Sequence, residues 1–429
     1  MVGVIFYIMI REKLFNNIYF NSSIDGKFKN NMLMVKFIVP LKKETASKYA
    51  IVPYVLEMGN KQFKNIIELN KKLSELYGAQ LYLDVSKAGE YQILSVGMDF
   101  IDNKYINNEE NIRKDACELL LSILMEPNIN ENLFDAKNIK IAKNLLINKI
   151  ENRINDKTKY AFDKCQELMF TKTPLGINKY GCKQDIELLT NEDVTNAYYN
   201  ILDKAKIEII YIGSSGVDEV KEICRKYLTS KSNECDFNVN FRCSKIKEEI
   251  CNYEEQMEVL QSKLVAGFKF NVNEISAKQR RAIMIMNVIY GGSPFSKLFI
   301  NVREKMSLCY ECRSRYSVFS GSMFAFMGIE SKNKEKALQE SLIQLKDIQD
   351  GVFTLSDIEN AKSTIENTII NYKDDTAKIA DWYFTQQLLG FNTVIDEEID
   401  LINKVSKSEI VEIASQIKLD TVYFLKGDE

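Results

Sequence analysis

"LMVKFIVPLKKETASKYAIVPYVLEMGNKQFKNIIELNKKLSELYGAQLYLDVSKAGEY" (residues 33–91) is echoed later in the chain by "VLQSKLVAGFKFNVNEISAKQRRAIMIMNVIYGGSPFSKLFINVREKMSLCYECRSRYSVFSGSM" (259–323). At an offset of about 232, Gly59 meets Gly291, Phe63 meets Phe295, Leu76 meets Leu308 and Gly89 meets Gly321. "LLTNEDVTNAYYNILDKAKIEIIYIG" (188–213) is echoed by "INKVSKSEIVEIASQIKLDTVYFLKG" (402–427). Self-similarity at a near-constant spacing over this length is the signature of a tandem duplication.

Each half reads as a strand, a buried helix, an amphipathic helix, two strands, several helices and a closing helix–strand pair. In "KQFKNIIELNKKLSELYG" Phe63, Ile66, Ile67, Leu69, Leu73 and Leu76 are expected on one helical face, with Gly78 ending the helix. "LYLDVS" with "YQILSVGMDF", and "YECRSRYSVF" with "SMFAFMGIE", alternate as strands joined by turn residues. Because the helices cluster after the hairpins, the class is α+β: two homologous domains, each a mainly antiparallel sheet with helices on one face. The expected boundaries are 1–230, a polar linker 231–256 in which Glu248, Glu249, Glu254 and Glu255 form a solvated charge run, and 257–429. The apolar start "MVGVIFYIMIREKLF" lacks a basic leader and is too short to cross a bilayer, so it is expected to be a first strand.

The chain has 429 residues, 45% of them hydrophobic, enough for large cores. Lysine plus arginine (57) nearly balances aspartate plus glutamate (60). That gives no electrostatic reason to expect nucleic acid or an anionic membrane as partner. No histidine is present, so imidazole chemistry is excluded. Nine scattered cysteines suit reduced thiols and a cytoplasmic location. In "CYEC" (309–312) strand alternation would send the two thiols to opposite faces, which argues against a shared metal. "YGGSPFSK" (290–297) lacks the Gly-Lys-Ser/Thr of a phosphate loop; its glycines are expected to end one helix, and Ser293 to cap the next.

Two such halves with "NVREKMSLCYECRSRY" in the second resemble the insulinase and pitrilysin family of zinc peptidases. The resemblance implies a clamshell that closes on unfolded peptide. Active members carry His-x-x-Glu-His on the buried first helix, the histidines binding zinc and the glutamate serving as base. Counting back from Gly59 and Asn60, the matching positions here are Ala50, Pro53 and Tyr54. The distal glutamate ligand falls at Lys149, with Glu151 close by. The family's Arg-x-x-x-x-x-Leu-x-Tyr pattern, by contrast, is present as Arg303, Leu308 and Tyr310, two hydrogen-bond donors towards a substrate carbonyl. The Asn-Ala-x-Thr signature of the family's substrate-pairing edge strand is missing from "GAQLYLDVS".

The resemblance therefore implies a chain that is no enzyme alone and holds no metal or other cofactor. Its implied role is a non-catalytic, cytoplasmic subunit of a heterodimeric metallopeptidase. A zinc-bearing homologue hydrolyses an unstructured peptide, and this chain closes the chamber and contacts the peptide through Arg303 and Tyr310. The alternative is a non-enzymatic peptide-binding or scaffolding protein, since "LYGAQLYLDVSKAGEY" and "KFKNNMLMVKF" are similar to the Gram-positive branch associated with elongation factor P modification.

Overall fold

A computed structural model describes residues 9–106, 110–228, 239 and 241–427. The first eight residues of the expected first strand lie outside that set; β1 is Ile10–Phe15. It is followed by β2 (Ile18–Ile24), β3 (Asn30–Pro40), β4 (Gln80–Ala88) and β5 (Tyr91–Ile101). After a two-residue hairpin, β6 (Ile129–Asn130) and β7 (Leu133–Phe134), comes β8 (Lys206–Gly213). The second half supplies β9 (Cys251–Gln256), β10 (Ser262–Phe270), β11 (Cys309–Ser317), β12 (Ser322–Ile329) and β13 (Ile417–Lys426).

The duplication is plain in the topology. One sheet has the order β1-β2-β8-β3-β5-β4 and the other, read from its far edge, β9-β13-β10-β12-β11. In both, the closing strand inserts inside the sheet and not at its edge. β8 runs parallel to β2 and antiparallel to β3, and β13 runs parallel to β9 and antiparallel to β10. Helix Ala277–Asn287 stands where Lys43–Ala50 and Val52–Leu56 stand in the first half. Both closing helices start with a reciprocal capping box, Thr190 with Asp193 and Ser406 with Glu409.

The chain forms two compact units, Met1–Glu151 with Ile177–Val239 and Tyr372–Leu388, and Asn152–Gly176 with Asn240–Asn371 and Leu389–Glu429. The sequence order does not anticipate two exchanged helices. Lys157–Met169, from the first half, belongs to the second unit, where Ala161, Cys165 and Met169 pack against Val265, Phe324 and Tyr423. Thr376–Leu388, from the second half, belongs to the first unit. There it covers the sheet face opposite the main core: Asp381 pairs with Lys36 at 2.9 Å, Phe384 lies under the same ammonium, and Gln387 donates to Glu208. Glu208 is fully buried and is also held by Arg11 (2.7 Å) and Asn21 (2.9 Å).

Strand alternation explains these faces. Along β3, Leu33, Val35, Phe37 and Val39 enter the helix-covered core, so Lys36 must point the other way. The helix expected around Phe63 begins only at Ile66, because Asn65 caps it by accepting from the amides of Ile67 and Glu68. That start puts Leu69, Leu73 and Leu76 in the core and leaves Ile67 77% exposed, correcting the expected face.

The expected linker 231–256 is also corrected at its end. Residues 231–238 and 240 lie outside the described set; Glu248, Glu249 and Glu254 are exposed, but Cys251–Gln256 is a strand and Glu255 is drawn into it. Glu255 accepts from Tyr160 (2.8 Å) and Tyr423 (2.7 Å), and Glu254 pairs with Lys334 at 2.9 Å. Among the described residues no helix is long and apolar enough to cross a membrane.

Candidate functional site

The first candidate position is the broken helix of the first unit. Lys43–Ala50 ends at Ile51 and Val52–Leu56 restarts with Pro53 in its first turn, where the missing N–H costs no helical hydrogen bond. Ala50 is fully buried, Pro53 is buried and Tyr54 is 9% exposed. The Tyr54 ring packs in the core, while its buried hydroxyl has no hydrogen-bond partner. Burial, then the charges of Asp84 and Glu57, push its phenol up to about 12.

Lys149, near the end of helix Ala136–Glu151, brings its ammonium 5.6 Å from the centre of the Tyr54 ring and 5.8 Å from that of Tyr180. Burial raises the Glu57 carboxyl, and the Lys149 charge opposes that rise. Glu151 is committed elsewhere, to Lys183. An alanine, a proline, a phenol and an ammonium do not fit a zinc ion, which needs neutral imidazole, thiolate or carboxylate donors. Among the described residues no group of three His, Cys, Asp or Glu side chains is placed to hold a metal.

The second candidate position lies in the other unit. Val288–Gly292 and Leu298–Lys305 wind as wide π-type turns, a rare geometry that is frequent at functional sites. Ser293 does not cap the helix that follows: its hydroxyl donates back to the Val288 carbonyl at 3.2 Å, and Ser296 accepts from the Phe299 amide at 3.4 Å. Arg303, on the last turn, has a 40% exposed side chain. Its guanidinium lies 4.6 Å from the Phe299 ring centre, with Glu304 at 3.6 Å.

Leu308 is buried and leads into β11. There Cys309 pairs with Ile329 and Glu311 with Gly328, so Tyr310 is the extra residue of a β-bulge. It is 64% exposed, and its hydroxyl donates to Glu330 at 3.2 Å. Tyr310 lines an open cavity of about 580 Å³ with Leu260, Gln261, Ile329, Glu330 and Ser331. Arg303 does not line it.

The bulge also corrects the reading of "CYEC". One extra residue cancels one step of alternation, so Cys309 and Cys312 are both buried. No composition or spacing signal marks a bulge; Tyr310, a bulky residue next to a buried thiol, is its only trace in the sequence.

With this geometry in view, the comparisons are coherent. The model of the "Peptidase M16 inactive domain" matches residues 188–365. The "Probable inactive metalloprotease YmfF" of Bacillus subtilis (strain 168) is 27% identical over 403 residues, 94% of each chain. The "Uncharacterized zinc protease YmxG" of the same organism is 28% identical over 166 residues, 37% of this chain and 39% of its own. A crystal structure of a conserved protein from Enterococcus faecalis V583 superposes with a TM-score of 0.88 at 26% identity, covering 98% of this chain and 99% of that one. The fold is M16-like, and the chain is similar to M16 peptidase relatives, one of which is described as a probable inactive metalloprotease.

Proposed function

We propose that the chain is the non-catalytic subunit of a heterodimeric zinc metallopeptidase. A zinc-bearing homologue provides metal and base, and this chain closes the chamber around an unstructured peptide. The observation that carries the reading is an asymmetry. The positions that the resemblance assigns to zinc carry the buried Ala50, Pro53 and Tyr54 and, beside them, Lys149, whereas the Arg303 guanidinium and the Tyr310 hydroxyl are exposed donors. A guanidinium forks onto a peptide carbonyl or carboxylate, and a phenol donates to an oxyanion. A cytoplasmic location goes with this reading, through the free thiols of the described residues.

The test mixes the purified chain with a zinc-bearing homologue from the same cell and follows cleavage of an unstructured peptide. Hydrolysis should require both chains. Loss of one oxyanion donor costs about 10²–10³ in turnover, so Arg303→Ala and Tyr310→Phe should each slow the mixture by a factor of that order. Equal activity with this chain omitted would sink the proposal.

The engagement of Tyr310 by Glu330, and of Arg303 by Phe299 and Glu304, favours a second reading: a peptide-binding or scaffolding protein without hydrolysis. Elongation factor P modification is the process the sequence resemblance suggests for it. Binding of an unstructured peptide with no cleavage in any mixture would select this reading.

A further inference from the structure

The edge of the second sheet carries a charge pattern that the function proposed above leaves unused. β11 closes that sheet and, among the described residues, pairs only with β12. Among those residues no other backbone hydrogen bond joins 309–316 to a neighbouring segment. Strand alternation puts Arg313 and Arg315 on the face covered by helix Lys157–Met169, opposite Phe326 and Phe324. Both side chains are exposed, yet both guanidiniums lie over rings: Arg313 is 5.8 Å from the Phe326 centre and Arg315 is 5.3 Å from that of Phe162. Phe162 is itself set edge-on against Phe324, with 4.8 Å between centres.

Carboxylates do not balance this edge. Glu311 lies 3.4 Å from Arg313 and 3.9 Å from Lys263, so one acid serves two cations. Among the described residues no carboxylate lies within ion-pair distance of Arg315. The chain's overall balance is slightly negative, so this positive surplus is local. Charge also guards edge strands against chance pairing, but mobile, solvated lysines suffice for that. Guanidiniums held on aromatic faces keep their donor forks in a fixed place, which suits recognition of a carboxylate. The corresponding edge of the first sheet, β4, has no such pair; it carries one charge of each sign, Asp84 and Lys87.

We propose that β11 takes up an acidic stretch of extended peptide by strand addition, with Asp or Glu side chains two residues apart on Arg313 and Arg315. A strand repeats each face every two residues, about 6.8 Å. The same repeat separates Arg313 from Arg315, so a carboxylate at every second peptide position meets a guanidinium. In this mode main-chain hydrogen bonds supply affinity and alternate side chains supply selectivity. The proposal rests on the reading that this chain contacts unstructured peptide and names the chemistry of that peptide; it does not depend on hydrolysis.

The test follows the fluorescence anisotropy of labelled unstructured peptides titrated with the purified chain alone. The peptides differ only at two alternate positions: Glu-x-Glu, Gln-x-Gln or Lys-x-Lys. An exposed ion pair contributes up to about fivefold, so at low salt the Glu peptide should bind about tenfold more tightly than the Gln peptide. That margin should vanish when Arg313→Gln and Arg315→Gln are combined. Arg313→Glu with Arg315→Glu should prefer the Lys peptide, a result that also shows the altered chain to be folded. No binding of any peptide, a preference that survives the glutamine pair, or a single-stranded oligonucleotide that displaces the Glu peptide better than its unlabelled form does overturns the proposal. Equal binding of all three peptides refutes the acidic preference and leaves the function proposed above standing. Cleavage that proceeds with this chain omitted sinks that function and leaves the binding preference as measured.

Discussion

Replacing Tyr54 with phenylalanine removes a buried hydroxyl that has no hydrogen-bond partner and leaves its ring in place. A buried polar group without a partner costs about 1–3 kcal/mol. Phenylalanine keeps the contact with the Lys149 ammonium at 5.6 Å, although its ring attracts a cation slightly less. The net expectation is a gain of about 1 kcal/mol in the first unit, a rise of about 2–4 °C in its midpoint for a unit of this size. The chain has a single tryptophan, Trp382, and it belongs to that unit, so its fluorescence during urea unfolding reports the relevant transition. Tyr211→Phe is the control of opposite sign, because its hydroxyl donates to the Ser215 carbonyl at 2.6 Å; it should lose about 1 kcal/mol. Alkaline pH gives a second readout. The Tyr54 phenol is raised from 10.0 to about 12, so the folded state holds that proton more tightly and stability falls as pH rises through this window. Phenylalanine should make the fall shallower. If Tyr54→Phe instead costs more than about 0.5 kcal/mol, the hydroxyl has a polar partner and the reasoning is wrong.

Asp99, with one buried oxygen lacking a partner, is raised by burial and then by Asp375 from 3.8 to about 6. Its folded form binds the proton more tightly, so stability falls as pH rises between those values, and Asp99→Asn should gain about 1–2 kcal/mol above pH 6, discounted for partial exposure. Urea midpoints at pH 4 and 7 check this; equal gains at both would refute it. Thr190→Ala and Ser406→Ala each break a capping box and should cost about 1 kcal/mol, read as faster amide exchange at Asp193 and Glu409. Because the donor set around Tyr54 does not fit zinc, EDTA should leave the chain's own unfolding midpoint unchanged while abolishing hydrolysis in the mixture. Stoichiometric zinc in the purified chain would contradict that.

The sequence made the topology legible through its repeat. Gly89 and Gly321 stand in the turns between paired strands, both with φ near +56°, a conformation glycine adopts without steric cost. Thr190 and Ser406 announce the closing helices by the same box. The sequence resemblance names Ala50, Pro53, Tyr54 and Lys149 by spacing alone, and the structure puts the Lys149 ammonium 5.6 Å from the Tyr54 ring centre. Other features depend on geometry that no local pattern encodes. An inserted bulge residue shifts the alternation at Cys309, and a helix that starts at Ile66 leaves Ile67 outside. The strand at 251–256 looked polar because its glutamates are paid for by tyrosines and a lysine from distant segments.

The exchange of helices Lys157–Met169 and Thr376–Leu388 has a kinetic implication. The first sheet cannot receive its second cover until helix Thr376–Leu388, far downstream, has left the ribosome, so until then Lys36 waits without Asp381, and Glu208, already paired with Arg11, without Gln387. A gene cut once between the repeats would yield two fragments, each holding a helix that the other requires, and neither should mature without the other present.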